Sequence, residues 1–357
     1  MVKIRLALGN KECQKEVHNM GLSRSDTILK YIVEYFIKTA QPIGSHTLIE
    51  IYHLPYSSAT IRNEMYALEK LGLIEKTHSS SGRVPSANGY KYYCEKLREK
   101  AVDEDLKQSL QLVLDQRVKS VEEVIGRSCE ILSHMTNLVS VVMGPDEEKE
   151  KLANIQLVQI SDNTITAIFV TDKGYVENKT FILEENISTK ELVSCMNVLN
   201  DRLKGTPINQ LIDKMQALKP VLSDYVISHD VVYQALMETF LRFASDRLSL
   251  YGRDELFNNP EFKQDADKLE RVLKLLNDSS VFKTIEPSGE GVSLNIGDVE
   301  GNPDVSMVTA KIKVGEEGEQ TLTLLGPTRM DYAKVLSALE YMVNELNKYF
   351  DKNKGGN

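Results

Sequence analysis

The stretch that decides the fold of the N-terminal quarter is SHTLIEIYHLPYSSATIRNEMYALEKLGLIEKTHSSSGRVP, residues 45–85. It predicts two helices separated by a short break at Pro55, since proline interrupts a helix and Ser57 or Ser58 is a preferred N-cap for the next one. Gly72 is suited to end that helix in the left-handed conformation. Two short helices joined by a tight turn are typical of a helix-turn-helix.

A hairpin is predicted directly behind this helix pair. Residues 73–77 have the composition of a strand, residues 78–82 form a Ser- and Gly-rich tip, and Arg83 begins the return strand. A further helix, from about Asp26 to Thr39, precedes the pair and ends before Pro42. Three helices followed by a hairpin indicate a winged helix, a fold that serves either DNA binding or protein interaction.

The polar side chains of this region suit DNA. Hydroxyl, guanidinium and amide groups at the start of the third helix can contact phosphate oxygens and base edges in the major groove. The hairpin adds groups that can reach the DNA backbone. The candidate readers on the helix are Ser57, Ser58, Thr60, Arg62 and Asn63, and the candidate wing contacts are Lys76, Ser80, Gly82 and Arg83.

Charge is distributed unevenly along the chain. The 357 residues carry 43 Lys+Arg and 52 Asp+Glu, a net charge of −9, which by itself argues against phosphate binding. Residues 1–100 hold 15 basic and 10 acidic residues, a net +5, whereas residues 101–357 hold 28 and 42, a net −14. This split predicts a DNA-binding head on an acidic body that does not touch DNA.

The rest of the chain predicts a multidomain α+β protein. Apolar residues at steps of three and four predict one long helix over residues 105–136, followed by a buried strand over 138–143. Three strands with short links then predict an antiparallel meander. The strands are expected at 155–160, 165–171 and 175–183; helices follow at 188–204, 207–219, 225–248 and 264–277, strands at 292–296, 305–314 and 320–325, and a last helix at 331–350.

No sequence motif points to catalysis. The chain has no phosphate-binding loop, dinucleotide-binding, zinc-protease or nucleophile-elbow motif. We therefore expect no enzyme activity, no metal and no cofactor. With no secretory signal and no apolar run long enough to span a bilayer, we expect a cytoplasmic protein.

Three stretches resemble the family of heat-inducible transcription repressors called HrcA. They are AQPIGSHTL (40–48), YSSATIRNEMYALEKLGLIEKTHSSSGRVPSANGYKYY (56–93) and GPTRMDYAKV (326–335). The similarity covers about residues 25–350, so the first 24 residues and the tail lie outside it.

The resemblance implies a layout and a function. Family members have a winged helix, a GAF-like α/β domain and an inserted α+β dimerising domain. Here these would be residues 25–100, residues 101–145 with 250–350, and residues 146–249, leaving a flexible extension (1–24) and a disordered tail (351–357). The family implies a homodimer that represses class I chaperone operons by binding an inverted-repeat operator called CIRCE. It also implies release on heat stress and modulation by the chaperonin GroEL. The alternative is a winged-helix module for protein interaction or ligand sensing that binds no operator.

Overall fold

The structure is a computed structural model with a mixed α+β fold. We call residues 21–100 the head and residues 101–352 the body. The described residues are 21–77, 82–115, 120–144, 150–161, 164–182, 189–222, 237, 248–278, 281–282, 291–314 and 318–352.

The head consists of short helices and one hairpin, as the sequence predicts. Ser23 and Ser57 begin two of the helices, each accepting a hydrogen bond at its side-chain oxygen from a backbone N–H three residues ahead. The elements are α1 (Arg24–Thr39), α2 (Ser45–Tyr52), α3 (Ser58–Lys70), β1 (Ile74–Lys76), β2 (Arg83–Pro85), α4 (Ala87–Tyr92) and a π-helical turn (Tyr93–Leu97).

The loop between α1 and α2 joins the hairpin. Ile43 and Arg83 exchange two backbone hydrogen bonds of 3.0 and 2.9 Å, which adds one antiparallel bridge to the β1–β2 pair. The hairpin is therefore connected to the start of the helix pair as well as to its end.

The long helix predicted over residues 105–136 is wrong. Two helices occupy the described part of this range, α5 (Glu104–Leu114) and α6 (Val121–Thr136). The backbone of Ser120 is extended, and its side chain accepts a hydrogen bond of 3.1 Å from the Glu123 N–H. Ser120 and Glu123 match the pattern of a capping box, a helix-start signature within an otherwise continuous apolar period. The predicted strand follows as β3 (Val139–Met143).

The predicted meander is confirmed as a separate antiparallel sheet. Its order is β4-β5-β6, and one face packs on the two helices that follow. The predicted helix over residues 225–248 lies outside the described residues except for Met237 and Leu248, and Leu248 begins a strand instead. The elements are β4 (Leu152–Ser161), β5 (Thr164–Thr171), β6 (Val176–Ile182), α7 (Thr189–Leu203), a 3-10 turn (Ile208–Gln210) and α8 (Leu211–Leu222).

The last part of the chain completes a five-stranded antiparallel sheet with β3. Its strands follow the order β7-β3-β10-β9-β8, so strands on both sides of the β4–β6 segment share one sheet. The final helix extends two residues into the predicted disordered tail. The elements are β7 (Leu248–Tyr251), α9 (Asp254–Asn258), α10 (Pro260–Lys263), α11 (Ala266–Asn277), β8 (Ser293–Ile296), β9 (Val305–Val314), β10 (Gly318–Pro327) and α12 (Tyr332–Lys352).

The two faces of this sheet bury different clusters. Val142, Val308 and Leu322 belong to a cluster that also contains α5, α6, α12 and the buried residues of the head. Val141 and Met307 face the opposite side, where α9 to α11 cover them. Because successive side chains of a strand point to opposite faces, the same strands support both layers. The head and one layer of the body therefore share a continuous apolar core.

Candidate nucleic-acid interface

Helix α3 is amphipathic, and its polar face is open to solvent. Ile61, Met65 and Leu68 are buried against the rest of the head. Arg62 and Asn63 are exposed on the other face, and their side chains make no hydrogen bond or ion pair with the described residues. Burial of one stripe therefore holds the helix in place while the two candidate base readers stay available.

The start of α3 is fixed by hydroxyl groups. The side-chain oxygen of Ser57 accepts the Thr60 N–H at 3.1 Å and lies 2.9 Å from the Thr60 hydroxyl. The hydroxyl groups of Ser58 and Ser45 are 2.9 Å apart, joining the first turns of α3 and α2. Three of the candidate readers thus order the helix start, and the exposed Ser57 lies at its N-terminal end, where phosphate groups bind readily.

The acidic residues of α3 are paired with cations of the head. Glu64 contacts the Arg24 guanidinium at 3.3 Å and accepts a hydrogen bond of 2.5 Å from Ser25. Glu69 accepts two hydrogen bonds from Arg83, of 3.0 Å from Nε and 2.7 Å from Nη2. Two negative charges that would repel a phosphate backbone are therefore neutralised, and the charge of Arg62 is left uncompensated.

The candidate wing residues fall into different environments. Lys76 is exposed and lies opposite Arg83 in the β1–β2 register. Gly82 is buried, and a Cβ atom there would lie 2.8 Å from the Cβ of Pro42. Arg83 is mostly buried beside Glu69, with 17% of its side chain exposed. Ser80 lies outside the described residues.

Two further residues of α3 extend the exposed face. Tyr66 is 56% exposed, and the ammonium group of Lys70 lies 4.8 Å from the centre of its ring. Both residues are absent from the predicted set. They follow Arg62 at steps of four, so the helical period alone could have indicated them.

The described residues contain no group of three or more His, Cys, Asp and Glu side chains that could hold a metal ion. Cys94 and Cys129 are buried free thiols, and burial raises the pKa of both, that of Cys94 to about 12. Neither is therefore suited to act as a nucleophile at neutral pH. No helix in the described ranges is both long and apolar enough to cross a membrane.

Three named relatives define the class of this protein. A relative from Bacillus pumilus, named heat-inducible transcription repressor HrcA, is 36% identical over 335 residues, covering 92% of this chain and 97% of its own. Relatives of the same name from Halalkalibacterium halodurans and Oceanobacillus iheyensis are also 36% identical, covering 92% and 93% of this chain. The chain is thus similar over nearly its whole length to heat-inducible transcription repressors.

The family follows from a second comparison. The family model described as HrcA protein C terminal domain matches residues 122–336, and the chain belongs to the HrcA family. A crystal structure of a hypothetical protein at 2.2 Å resolution is similar in fold, with a TM-score of 0.60 and 23% identity, covering 93% of this chain and 99% of that one.

Proposed function

We propose that this protein represses heat-shock genes as a homodimer that binds an inverted-repeat operator of the CIRCE type in front of class I chaperone operons. In this proposal the head is a winged helix, α3 lies in the major groove, and the repressor leaves the operator on heat stress. Repression takes place in the cytoplasm on chromosomal DNA, and the chaperonin GroEL keeps the repressor in its active form.

One observation supports the reading helix above the others. The face of α3 that carries Arg62 and Asn63 is exposed, whereas its two carboxylates are held by Arg24 and Arg83. Arginine and asparagine side chains make paired hydrogen bonds to guanine and adenine, respectively. Ser57, Ser58 and Thr60 would contact phosphate groups beside the helix start, where unpaired N–H groups favour anions.

The hairpin would contribute contacts to the DNA backbone. Lys76 is the exposed cation of the pair of strands, and the hydroxyl of Ser80, which lies outside the described residues, would donate to a phosphate group. Gly82 has no side chain to offer, so its role would be to let the hairpin pass close to Pro42. Arg83 would reach a phosphate only by exchanging the Glu69 carboxylate for a phosphate oxygen.

A dimer is supported by the size of the interface and by an apolar surface. A single winged helix buries about 600–1,000 Å² on DNA, and two copies related by a two-fold axis match a two-fold operator. The β4–β6 sheet packs one face on α7 and α8 and carries exposed apolar residues on the other. These include Val158, Val176 and Ile182, with 41%, 50% and 77% of their surface exposed. This face would join two copies.

The test is a titration of the full-length protein against a duplex carrying the inverted repeat from its own chaperone promoters, read by fluorescence anisotropy at several salt concentrations. Arg62→Ala should weaken binding by about 1–3 kcal/mol, or about 5- to 150-fold, if Arg62 reads a base. Arg127→Ala is the matched control, because Arg127 lies on the body and pairs with Glu123 at 2.8 Å.

Two results would contradict the proposal. Unchanged operator affinity of Arg62→Ala would remove Arg62 from the reading set. Failure of the unmodified protein to bind any duplex at low salt, with dimerisation intact in sedimentation, would favour a protein-interaction or ligand-sensing module.

A separate experiment tests the chaperonin. Added GroEL should raise the fraction of protein that can bind the operator after heating, and the absence of such an effect would refute the proposed modulation by GroEL.

A further inference from the structure

The segment GPTRMDY, residues 326–332, lies where the head meets the body. It joins the end of β10 to the start of α12. Its side chains take no part in the candidate DNA interface. Two of them, Arg329 and Tyr332, contact or face residues of the head that lie more than 240 positions earlier in the chain.

Arg329 connects the two parts through one guanidinium group. Its Nη1 donates to the backbone carbonyl of Ile37, 292 residues away, in the last turn of α1. Its Nε donates to Glu261 Oε1 at 2.9 Å, and Nη2 donates to the same carboxylate. The last four carbonyls of a helix have no partner within the helix, and its C-terminal end favours a cation. Arg329 therefore binds α1 at its end while Glu261 anchors it to the body.

A second group of contacts lies around α4 and the π-helical turn. Tyr90 and Tyr332 face each other with ring centres 5.1 Å apart. The Tyr332 hydroxyl bonds within the body: it donates to the Thr328 carbonyl at 2.8 Å and lies 2.9 Å from the Ser306 hydroxyl. Arg98 extends from the head to Ser337 and Glu340 on α12. These contacts attach the head along α12, whereas Arg329 holds the far end of α1.

A partly open pocket of about 320 Å³ lies between the two groups, beside the apolar core that the head and body share. It is lined by Phe36, Val84 and Tyr90 of the head and by Phe262 and Arg329 of the body, among others. Within the described residues the buried hydroxyl of Tyr90 has no hydrogen-bond partner. Because the pocket leaves this side of the junction without close packing, the directional hydrogen bonds of Arg329 restrict movement of the head here, where apolar contacts are few.

We propose that Arg329 is a positioning residue for operator recognition: its bonds to Ile37 and Glu261 hold the head at one angle to the body. In a dimer, that angle sets the distance and phase between the two reading helices. This inference rests on the proposed function, because phase matters only if two heads read two half-sites. Arg329 itself touches no DNA.

The experiment measures how strongly the affinity for DNA depends on the spacing between the two half-sites. The full-length protein is titrated against a duplex with the natural inverted repeat, against duplexes whose spacer is longer by about 5 or about 10 base pairs, and against a single half-site. Five pairs rotate one half-site by about half a helical turn, and ten restore the phase. The unmodified protein should lose at least about tenfold in affinity on the five-pair insertion, because a rigid linkage makes simultaneous binding geometrically impossible.

In Arg329→Ala, the ratio of the affinity for the natural repeat to the affinity for the five-pair insertion should fall below about threefold. Its affinity for the half-site should stay within about twofold of that of the unmodified protein. Arg329→Lys should fall between, because it keeps the charge near the α1 terminus but loses the paired geometry. Arg271→Ala is the matched control, since Arg271 also forms an ion pair within the body, with Asp304 at 3.1 Å. If Arg329→Ala loses half-site binding as well, the same ratio is read on Arg329→Lys and Glu261→Gln, which disturb packing less.

The inference would be overturned if these variants lost as much affinity on the five-pair insertion as the unmodified protein does. It would also be overturned if the unmodified protein bound the natural repeat and the five-pair insertion equally well. The proposed function fails in a different way, through absence of binding by the unmodified protein to the natural repeat.

Discussion

Gly89, in α4, offers the sharpest test of how the head is packed. A Cβ atom at this position would overlap the carbonyl oxygen of Leu73 and lie 3.0 Å from its carbon. That carbonyl is held in place, because it accepts the Ser86 N–H at 3.1 Å while the Leu73 N–H donates to Leu68 at 3.0 Å. Gly89→Ala must therefore move α4 away from the segment between α3 and β1.

The expected cost follows from two opposing effects. Forcing one extra carbon into a packed site costs about 1–3 kcal/mol, and the rigid carbonyl places this site at the upper end. Alanine in place of glycine within a helix returns roughly 0.5–1 kcal/mol. We expect the head to be destabilised by about 2 kcal/mol, whereas Gly291→Ala, at a position with open space around it, should have little effect.

Hydrogen exchange read by mass spectrometry measures this locally, since different parts of a protein open with different free energies. Peptides covering α3 and α4 should exchange about 30-fold faster in Gly89→Ala, the equivalent of about 2 kcal/mol. Peptides from β4 to β6 should be unaffected. Equal protection of the head in Gly89→Ala and the unmodified protein would refute the argument that this contact is rigid.

Two further predictions concern ionised groups of the head. A double-mutant cycle on Glu69→Gln and Arg83→Ala should give a coupling of about 1–2 kcal/mol in the same exchange experiment, more than an exposed pair because Arg83 is 17% exposed and uses two N–H groups. A coupling near zero would show that the Glu69–Arg83 pair does not stabilise the hairpin. The second prediction concerns Glu34, because burial raises its pKa above the ordinary value despite the nearby Lys30. A carboxyl with a raised folded-state pKa destabilises the fold as pH rises through that pKa. Glu34→Gln should therefore increase the stability of the head more at pH 7 than at pH 4. An identical gain at both pH values would contradict the raised pKa of Glu34.

The elements of the head could be predicted from sequence because their determinants are local. Pro42 ends one helix, Ser57 begins another, and the hairpin follows within ten residues of α3. The apolar period continues in phase on either side of Ser120, so it predicts one helix there, although Ser120 and Glu123 form a recognisable capping pattern. Local determinants predict an element well, but a period that spans two helices conceals the break between them.

Roles that depend on distant partners could not be predicted. The position of Arg83 in the hairpin predicts an exposed wing cation, but in the structure it is mostly buried and paired with Glu69 of α3. Gly82 lies on the predicted tip, but the Ile43 bridge draws that strand against Pro42 and buries it. Arg329 belongs to a recognisable motif, yet its partner in α1 is 292 residues away. In each case the sequence identifies the chemical group, and only the packing of separate elements identifies its partner.

The small positive charge of the N-terminal part suggests that the relative position of two heads, rather than bulk charge, decides binding to the operator. The first 100 residues carry a net +5, and two of their cations, Arg24 and Arg83, are already paired with Glu64 and Glu69. Non-specific affinity for DNA grows with the number of phosphate groups neutralised, so one head with so small a net charge should hold DNA weakly. Under the proposed function, tight binding then requires two heads in register on one operator. Any change that loosens a head from its body, whether a variant at Arg329 or partial opening on heating, should weaken operator binding before the head itself unfolds.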